Sequence, residues 1–236
     1  EGPYIIEKDG YYYLFVSYGG LVADGGYQMR VFRSEKITGP YVDEAGNSAV
    51  YTKECNDLFE HVGVRIMGSY DWSGNREIRV AQGHNSAYVT EEGEIFLIYH
   101  SRFADGKNGI PEAHEVRVQQ LFVNEDGWLV AAPYEYAGEK ISKTGYAVDE
   151  MCGSYELIVH TPTTYYQKVG SSTVGIMQPS KITLNEDGTI YWVAVESGTP
   201  YPSPNNQNAA ENAEDGKTAR LESEYAKLQV LNGMNA

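Results

Sequence analysis

Cysteine is nearly missing from this chain: among 236 residues only Cys55 and Cys152 carry a thiol. Two cysteines do not make the disulfide framework of a small secreted scaffold, and no Cys-x-x-Cys pair offers a metal site. A buried free thiol is the expected state of each, in preference to a single bridge. Basic residues are scarce as well. Lys and Arg number 18 against 33 Asp and Glu, a formal net charge of −15. That deficit argues against a broad cationic face for nucleic acid or anionic membrane, and it suits a neutral ligand or a cation. No apolar run approaches the ~20 residues of a membrane span. The chain also lacks a Gly-x-Ser-x-Gly elbow, a Walker loop, a dinucleotide fingerprint, and any His-x-His or His-Glu-x-x-His pattern. Serine-hydrolase, nucleotide-binding and zinc-peptidase chemistries therefore find no support. The glycine-rich pieces YGGL and GLVADGG lie in strand connections, not ahead of a helix, and read as turns.

What the chain does have is tyrosine, 20 residues against 6 Phe and 3 Trp. Tyr packs its ring and keeps a polar tip, which suits sheet faces first and sugar-binding clefts second. Hydrophobic residues make up 42%, enough for a packed core. Up to about residue 136 the pattern is almost entirely β. Tyr12–Tyr18, Tyr27–Ser34, Gly63–Tyr70, Ile95–Arg102 and Glu115–Val123 are rich in Val, Ile, Tyr and Phe, and several alternate apolar with polar. Turn signals separate them: EKDG at 7–10, EEGE at 91–94 and NEDG at 124–127. Short antiparallel strands with tight turns mean a sandwich, a barrel or a propeller.

The composition shifts after Tyr136. AGEKISKTGYAVDEMCGSYELIVHTPTTYYQK reads as a linker followed by fresh strands, and Lys181–Val195 as a hairpin about a second NEDG turn. A second β domain is expected from about residue 137. Residues 199–218, rich in Pro, Asn and Ala, read as a loop or disordered insertion. After it, Leu221, Tyr225 and Leu228 recur at helical spacing and suggest a short amphipathic helix.

Three stretches carry a resemblance: EGPYIIEKDGYYYLFVSYGGL, GHNSAYV with IFLIYHSRF after it, and HEVRVQQLFVNEDGWLVAAPYEYAGEKIS. Together, over residues 1 to about 160, they resemble the later part of an endo-α-1,5-L-arabinanase of glycoside hydrolase family 43. The resemblance implies an all-β fold: the later blades of a five-bladed β-propeller over 1–136, then a small β-barrel-like accessory domain over 137–236. It implies inverting hydrolysis of α-1,5-linked arabinan, extracellular location, a monomeric enzyme, and a calcium ion in the central channel held largely through waters. Plant cell-wall arabinan or arabino-oligosaccharides are the implied partners, with no nucleic acid and no membrane.

The same resemblance assigns roles. The Glu of an E-[GA]-P-Y motif is the general acid, which falls on Glu1. The base and a supporting Asp belong to earlier blades, so the resemblance implies that the polypeptide continues ahead of Glu1 and that residues 1–236 alone are inactive. The His of G-H-N-S, here His84, is the channel ligand, and Asn85 beside it is a substrate contact. Ser17 and Tyr18, ending the YYLFVSY strand, match positions lining the cleft. Arg117, in HEVRVQQLF, matches an arginine at the catalytic subsite.

Taken without the resemblance, each of these residues has a plainer reading. A terminal Glu is most often solvated, a lone His ahead of a strand is most often structural, and a strand Arg most often faces water. His114 reads as a strand-end residue, and Tyr27 and Arg30 as structural. Two other functions stay open: an exo-acting family 43 arabinofuranosidase or β-xylosidase, and a non-catalytic sugar-binding propeller that has lost its carboxylates.

Overall fold

The computed structural model describes residues 1–50, 62–138, 145–158, 176, 179–187 and 190–193. Cys55, the 199–218 segment and the 221–228 helical pattern lie outside the described residues. The chain divides into two compact units. One holds Glu1–Tyr136 together with Ile176, and the other begins at Ala137.

The first unit is two four-stranded antiparallel meanders. One runs β1 (Tyr4–Lys8), β2 (Tyr11–Tyr18), β3 (Gln28–Ser34), β4 (Val64–Met67), each strand beside the next. The other runs β5 (Arg79–Val89), β6 (Ile95–Phe103), β7 (His114–Val123), β8 (Leu129–Ala131) in the same order. Four strands laid up and down in sequence is the form of a propeller blade. The expected strands and turns are all present in this unit. Strand β1 and most of β5 go beyond the sequence reading, because YIIEK is short and RVAQGHNSAYV is interrupted by polar residues.

Alternation explains which side chains go inward. Along β2 Tyr13, Phe15 and Ser17 are buried, and along β6 Ile95, Leu97 and Tyr99 are. Of these, Tyr13, Phe15, Ile95, Leu97 and Tyr99 join Met29, Val31, Ile66, Met67, Leu121 and Leu129 in one core between the two sheets. Each such side chain contributes ~1.5–3 kcal/mol on burial, whereas a surface ion pair is worth ~0–1 kcal/mol. The shared core, not the surface charges, therefore holds the sheets together. A polar latch closes its edge. Tyr13 Oη donates to Gly127 O at 2.7 Å, and Arg33 Nη1 donates to Asp126 O and Gly127 O at 2.6 and 2.7 Å. The Arg33 guanidinium lies 4.1 Å from the centre of the Trp128 ring. The turn that presents these carbonyls is built by Asn124, whose Oδ1 accepts from Asp126 N and Trp128 N.

Strand β5 is the irregular one. Its register with β6 shifts between Val80 and Gly83 and again between Gly83 and Ser86. Ala81 and His84 adopt φ of 51° and 49°. Bulges of this kind bend a strand and redirect a side chain. Here they turn His84 outward from the middle of β5. The sequence reading set His84 ahead of a strand; it stands inside one, because the bulged polar run GHNS still pairs with β6.

In the second unit β9 (Gly153–Leu157), β10 (Ser180–Leu184) and β11 (Ile190–Val193) form an antiparallel sheet in the order β11, β10, β9, preceded by a 3₁₀ turn at Asp149–Met151. Ile158, Ile182 and Leu184 are its buried apolar residues among those described. Cys152 is a free thiol, half-buried and not fully buried as expected, with Sγ donating to Val148 O at 3.2 Å.

Candidate active site

Glu1 is tied to β2 through its own backbone. Ser17 N donates to Glu1 O at 2.8 Å, and the Glu1 amino group donates to Ser17 O at 2.7 Å. The pairing runs on from β1 and sets the Glu1 side chain beside the inward side of β2. Gly2 follows at φ 59°, and a Cβ there would stand 3.2 Å from His84 Nδ1. Only glycine satisfies both conditions without strain. The Gly of the E-G-P-Y motif is thus explained by the close approach of the His84 ring.

Three side chains gather about the Glu1 carboxyl. Tyr27 Oη donates to Glu1 Oε1 at 2.6 Å. His84 and His100 both lie close enough to bear on its charge. Tyr27 is fully buried, its ring stacks on His100 with centroids 5.7 Å apart, and it lies against Gly83 so closely that a Cβ on Gly83 would meet Cε1 at 2.1 Å. His100 in turn meets His114 edge to face at 6.0 Å. Ser17 joins the group from below: its Oγ accepts the His84 backbone N–H at 2.7 Å. The left-handed backbone of His84 is held by that bond, and strain of this sort clusters at functional sites.

The electrostatics follow from these contacts. The Tyr27 hydroxyl holds the Glu1 carboxyl below its ordinary value; desolvation opposes this, and His84 and His100 add to the lowering. Burial first, then the bond to Glu1, pushes Tyr27 up to about 12, so it remains a donor. His100 is lowered by burial, with Arg102, His114 and His84 adding positive charge, and it is neutral at neutral pH. Among the described residues, His100 Nδ1 and both amide atoms of Asn85 are buried with no hydrogen-bond partner. An orphaned buried polar atom costs ~1–3 kcal/mol, and of these residues His100 is the one that bears on Glu1.

The site residues expected from sequence divide into two groups. Glu1, Ser17 and His84 come together, with Asn85 buried next to His84. Tyr18 lies on the other face of β2 from Ser17, with the Arg30 guanidinium 4.5 Å from its ring centre. Arg117 does not join Glu1. It stands opposite Tyr99 in the β6–β7 register, on the reverse face from His100, and pairs with Glu115 and with Glu135 at 3.1 Å. Two residues that read as structural stand at this cluster: Tyr27 bonds the Glu1 carboxyl, and His114 abuts His100. His100 has no counterpart in the sequence reading. The spacing that exposes it is His100-x-Arg102 on one face of β6, with His114 paired to Arg102 across the register. Arg30 is structural as expected, buried and donating to Val62 O at 2.6 Å.

The donor set was tested for calcium. Among the described residues no group of three or more His, Cys, Asp or Glu converges. His84 offers one imidazole nitrogen, while calcium takes roughly six to eight oxygens. The described residues do not by themselves make a calcium site.

The site is one carboxylate among a hydrogen-bond donor and two imidazoles, and comparison with known proteins gives the class. The profile of glycosyl hydrolases family 43 matches residues 1–129, and that of a C-terminal lipocalin-like domain matches 133–214. This chain belongs to glycosyl hydrolase family 43. It is 43% identical over 202 residues to the extracellular endo-α-(1→5)-L-arabinanase 2 of Bacillus subtilis, covering 80% of this chain and 40% of that protein. It is 40% identical over 199 residues to the corresponding arabinanase of Thermotoga petrophila, covering 80% and 39%. The crystal structure of the Thermotoga petrophila endo-1,5-α-L-arabinanase superposes with a TM-score of 0.68 at 38% identity, over 84% of this chain and 42% of that one. A family 43 glycoside hydrolase from Bacillus licheniformis gives 0.69 at 37%, over 84% and 44%. The chain therefore spans about two-fifths of the length of these relatives. Among the described residues no helix is long and apolar enough to cross a membrane.

Proposed function

We propose that this chain is the acid-bearing part of an extracellular, inverting endo-α-1,5-L-arabinanase. In this reading the two meanders are blades of a five-bladed propeller, followed by an accessory β domain from about residue 137. The observation that carries it is Glu1, a solvent-open carboxylate fixed by Tyr27 at one oxygen and flanked by His84 and His100. The identity to two arabinanases supports the substrate. A neutral polysaccharide also agrees with a chain of net charge −15, which nucleic acid and anionic membranes would repel. The relatives' names support an extracellular enzyme, and a monomer is the assembly expected.

Glycoside hydrolysis with inversion uses two carboxyl groups ~6.5–9.5 Å apart, one giving a proton to the leaving oxygen and one activating water on the opposite face. Tyr27 occupies Oε1 of Glu1, which leaves Oε2 to carry the proton toward the glycosidic oxygen. Tyr27 alone favours the ionised carboxyl, the wrong state for an acid. A bound sugar chain that expels water, and the negative charge of the opposing carboxylates, raise it again. Among the described residues no second carboxylate bears on Glu1; in this reading the base and the supporting Asp belong to the part of the relatives' length that this chain does not span. A channel calcium near His84 belongs to the same proposal.

The test is Glu1→Gln in the complete enzyme, this chain joined to the N-terminal portion its relatives carry. Loss of the proton donor is expected to slow cleavage of linear arabinan by roughly 10²–10⁴-fold. A native rate would remove Glu1 from the role. Product analysis separates the activities: mid-sized oligosaccharides appearing first support endo cleavage, and mono- or disaccharide released alone from chain ends points to an exo-acting enzyme.

A further inference from the structure

We infer that Arg102 and Glu112 form a clamp that positions Glu1, acting through the Gly19–Gly26 loop and Tyr27. The inference rests on the general-acid reading of Glu1 and adds two residues to it. Arg102 is buried near the end of β6. Its Nε donates to Leu21 O at 2.7 Å, and its Nη1 donates to Glu112 O and lies 3.3 Å from Glu112 Oε2. Glu112 Oε2 accepts the Ala23 N–H at 3.0 Å. One arginine and one glutamate thus grip the loop by its backbone at two points, Leu21 and Ala23.

The loop is built to be gripped as a unit. Gly20 N donates to Gly25 O at 2.7 Å and Gly25 N to Val22 O at 2.8 Å. Its two arms touch so closely that a Cβ on Gly25 would stand 2.1 Å from Gly20 O, and one on Gly19 would stand 2.5 Å from Gly26 O. Both neighbours are backbone, which cannot yield, so the loop transmits its placement to the residue that follows it. That residue is Tyr27. Ala23 packs against the cluster of Tyr27, Val80 and Ala81, so the atom held by Glu112 belongs to the residue that braces the Tyr27 ring.

A second route reaches the same ring. Arg102 Nη1 lies 3.5 Å from His114 Nδ1, His114 abuts His100, and His100 stacks on Tyr27. Tyr27 is therefore fixed from the loop side and from the His100 side, and both supports lead back to Arg102. What it holds in place is the 2.6 Å bond to Glu1. Arg102 and Glu112 touch no reacting atom in this scheme. They are positioning residues, and the quantity they set is the aim of the acid.

A hydrogen bond that aims a general acid matters only when the leaving group needs a proton, and this separates positioning from bulk structure. The experiment compares Arg102→Lys, Glu112→Ala and Glu1→Gln in the complete enzyme. Each is assayed on linear arabinan and on an arabinobioside carrying 2,4-dinitrophenolate, a leaving group that departs unprotonated. Both clamp variants are expected to lose ~10-fold or more in kcat/KM on arabinan while staying within about twofold of the parent on the activated glycoside. Glu1→Gln should show the same pattern more strongly. Equal losses on both substrates, or no loss on arabinan, would overturn the inference. Glu112 is half-exposed, so its alanine variant decides the matter if Arg102→Lys fails to fold. If Glu1→Gln shows the leaving-group pattern and the clamp variants do not, positioning alone falls. If Glu1→Gln cuts arabinan at the native rate, the reading of Glu1 falls and takes the clamp with it.

Discussion

Tyr27 Oη donates a hydrogen bond to Oε1 of Glu1 over 2.6 Å, while its ring closes the space beside Gly83 on one side and stacks on His100 on another. The charge state and direction of the Glu1 carboxyl, the proposed general acid, therefore depend on one tyrosine. Tyr27→Phe keeps the ring and deletes the donor. Donation lowers the Glu1 carboxyl, so its removal raises it. A general acid loses activity as pH rises through its own pKa, and kcat/KM reports the free enzyme. The basic limb of the kcat/KM profile should accordingly move to higher pH in Tyr27→Phe. The maximal rate should fall by roughly tenfold, the scale of one charge-assisted hydrogen bond. A basic limb that stays put or moves down would show that Tyr27 does not govern Glu1.

Gly83 offers a steric test of the same contact. A methyl group there would lie 2.1 Å from Tyr27 Cε1 and 2.3 Å from Cδ1. The ring cannot retreat freely, because it is fully buried and backed by Val80 and Ala81. Overpacking of this sort costs ~1–3 kcal/mol. Gly83→Ala should lower the thermal midpoint and reduce activity, and Tyr27→Ala in the same background should recover part of the stability by vacating the space. If Gly83→Ala melts and reacts like the parent, the tyrosine is not seated as described.

Much of this was legible in the sequence, and the limit has a physical form. Alternation in YYYLFVSY and IFLIYHSRF, with Asp-Gly turns between strands, gave the sheets, because period and turn chemistry are local properties. Glu1 and His84 stood out through motif context. Tyr27, His100 and His114 did not. Their roles come from a register that sets β6 beside β7 and from a loop that folds β3 back toward residue 1, and both are contacts between residues far apart in the chain. Tyr27 read as one of many strand tyrosines, since a sheet tyrosine and an acid's partner have the same local pattern. Arg117 shows the opposite limit: it alternates with Val116 and Val118, but which face of β7 it shares with Tyr99, away from Glu1, depends on how the two sheets pack.

His100 makes the fold sensitive to acid. Its pKa is lowered by burial first, then by its neighbours Arg102, His114 and His84, with Glu1 opposing. A histidine lowered on folding takes up protons more readily when unfolded, so the unfolded state gains as pH falls below its ordinary value near 6.5. The stability that His100 contributes is complete above that value and is lost progressively below it. His100→Gln has no such charge to take up, so its thermal midpoint should fall less than the parent's between pH 7 and pH 5. Parallel curves for the two proteins would show that His100 is not the group responsible.

Calcium can be tested on this chain without any catalytic assay. His84 contributes one nitrogen, and no cluster of three ligating side chains forms among the described residues. A hard cation that wants roughly six to eight oxygens finds too few here. Titration of residues 1–236 with calcium should give no saturable heat below millimolar concentration. In the complete enzyme the missing oxygens would come from the remaining blades, and His84 would be one contributor among several. There, His84→Ala should lower calcium content and the response to a chelator together. Micromolar binding by residues 1–236 would mean that these residues hold a full coordination shell after all. Unchanged calcium content in His84→Ala would separate this imidazole from the ion and leave it as a neighbour of Glu1 alone.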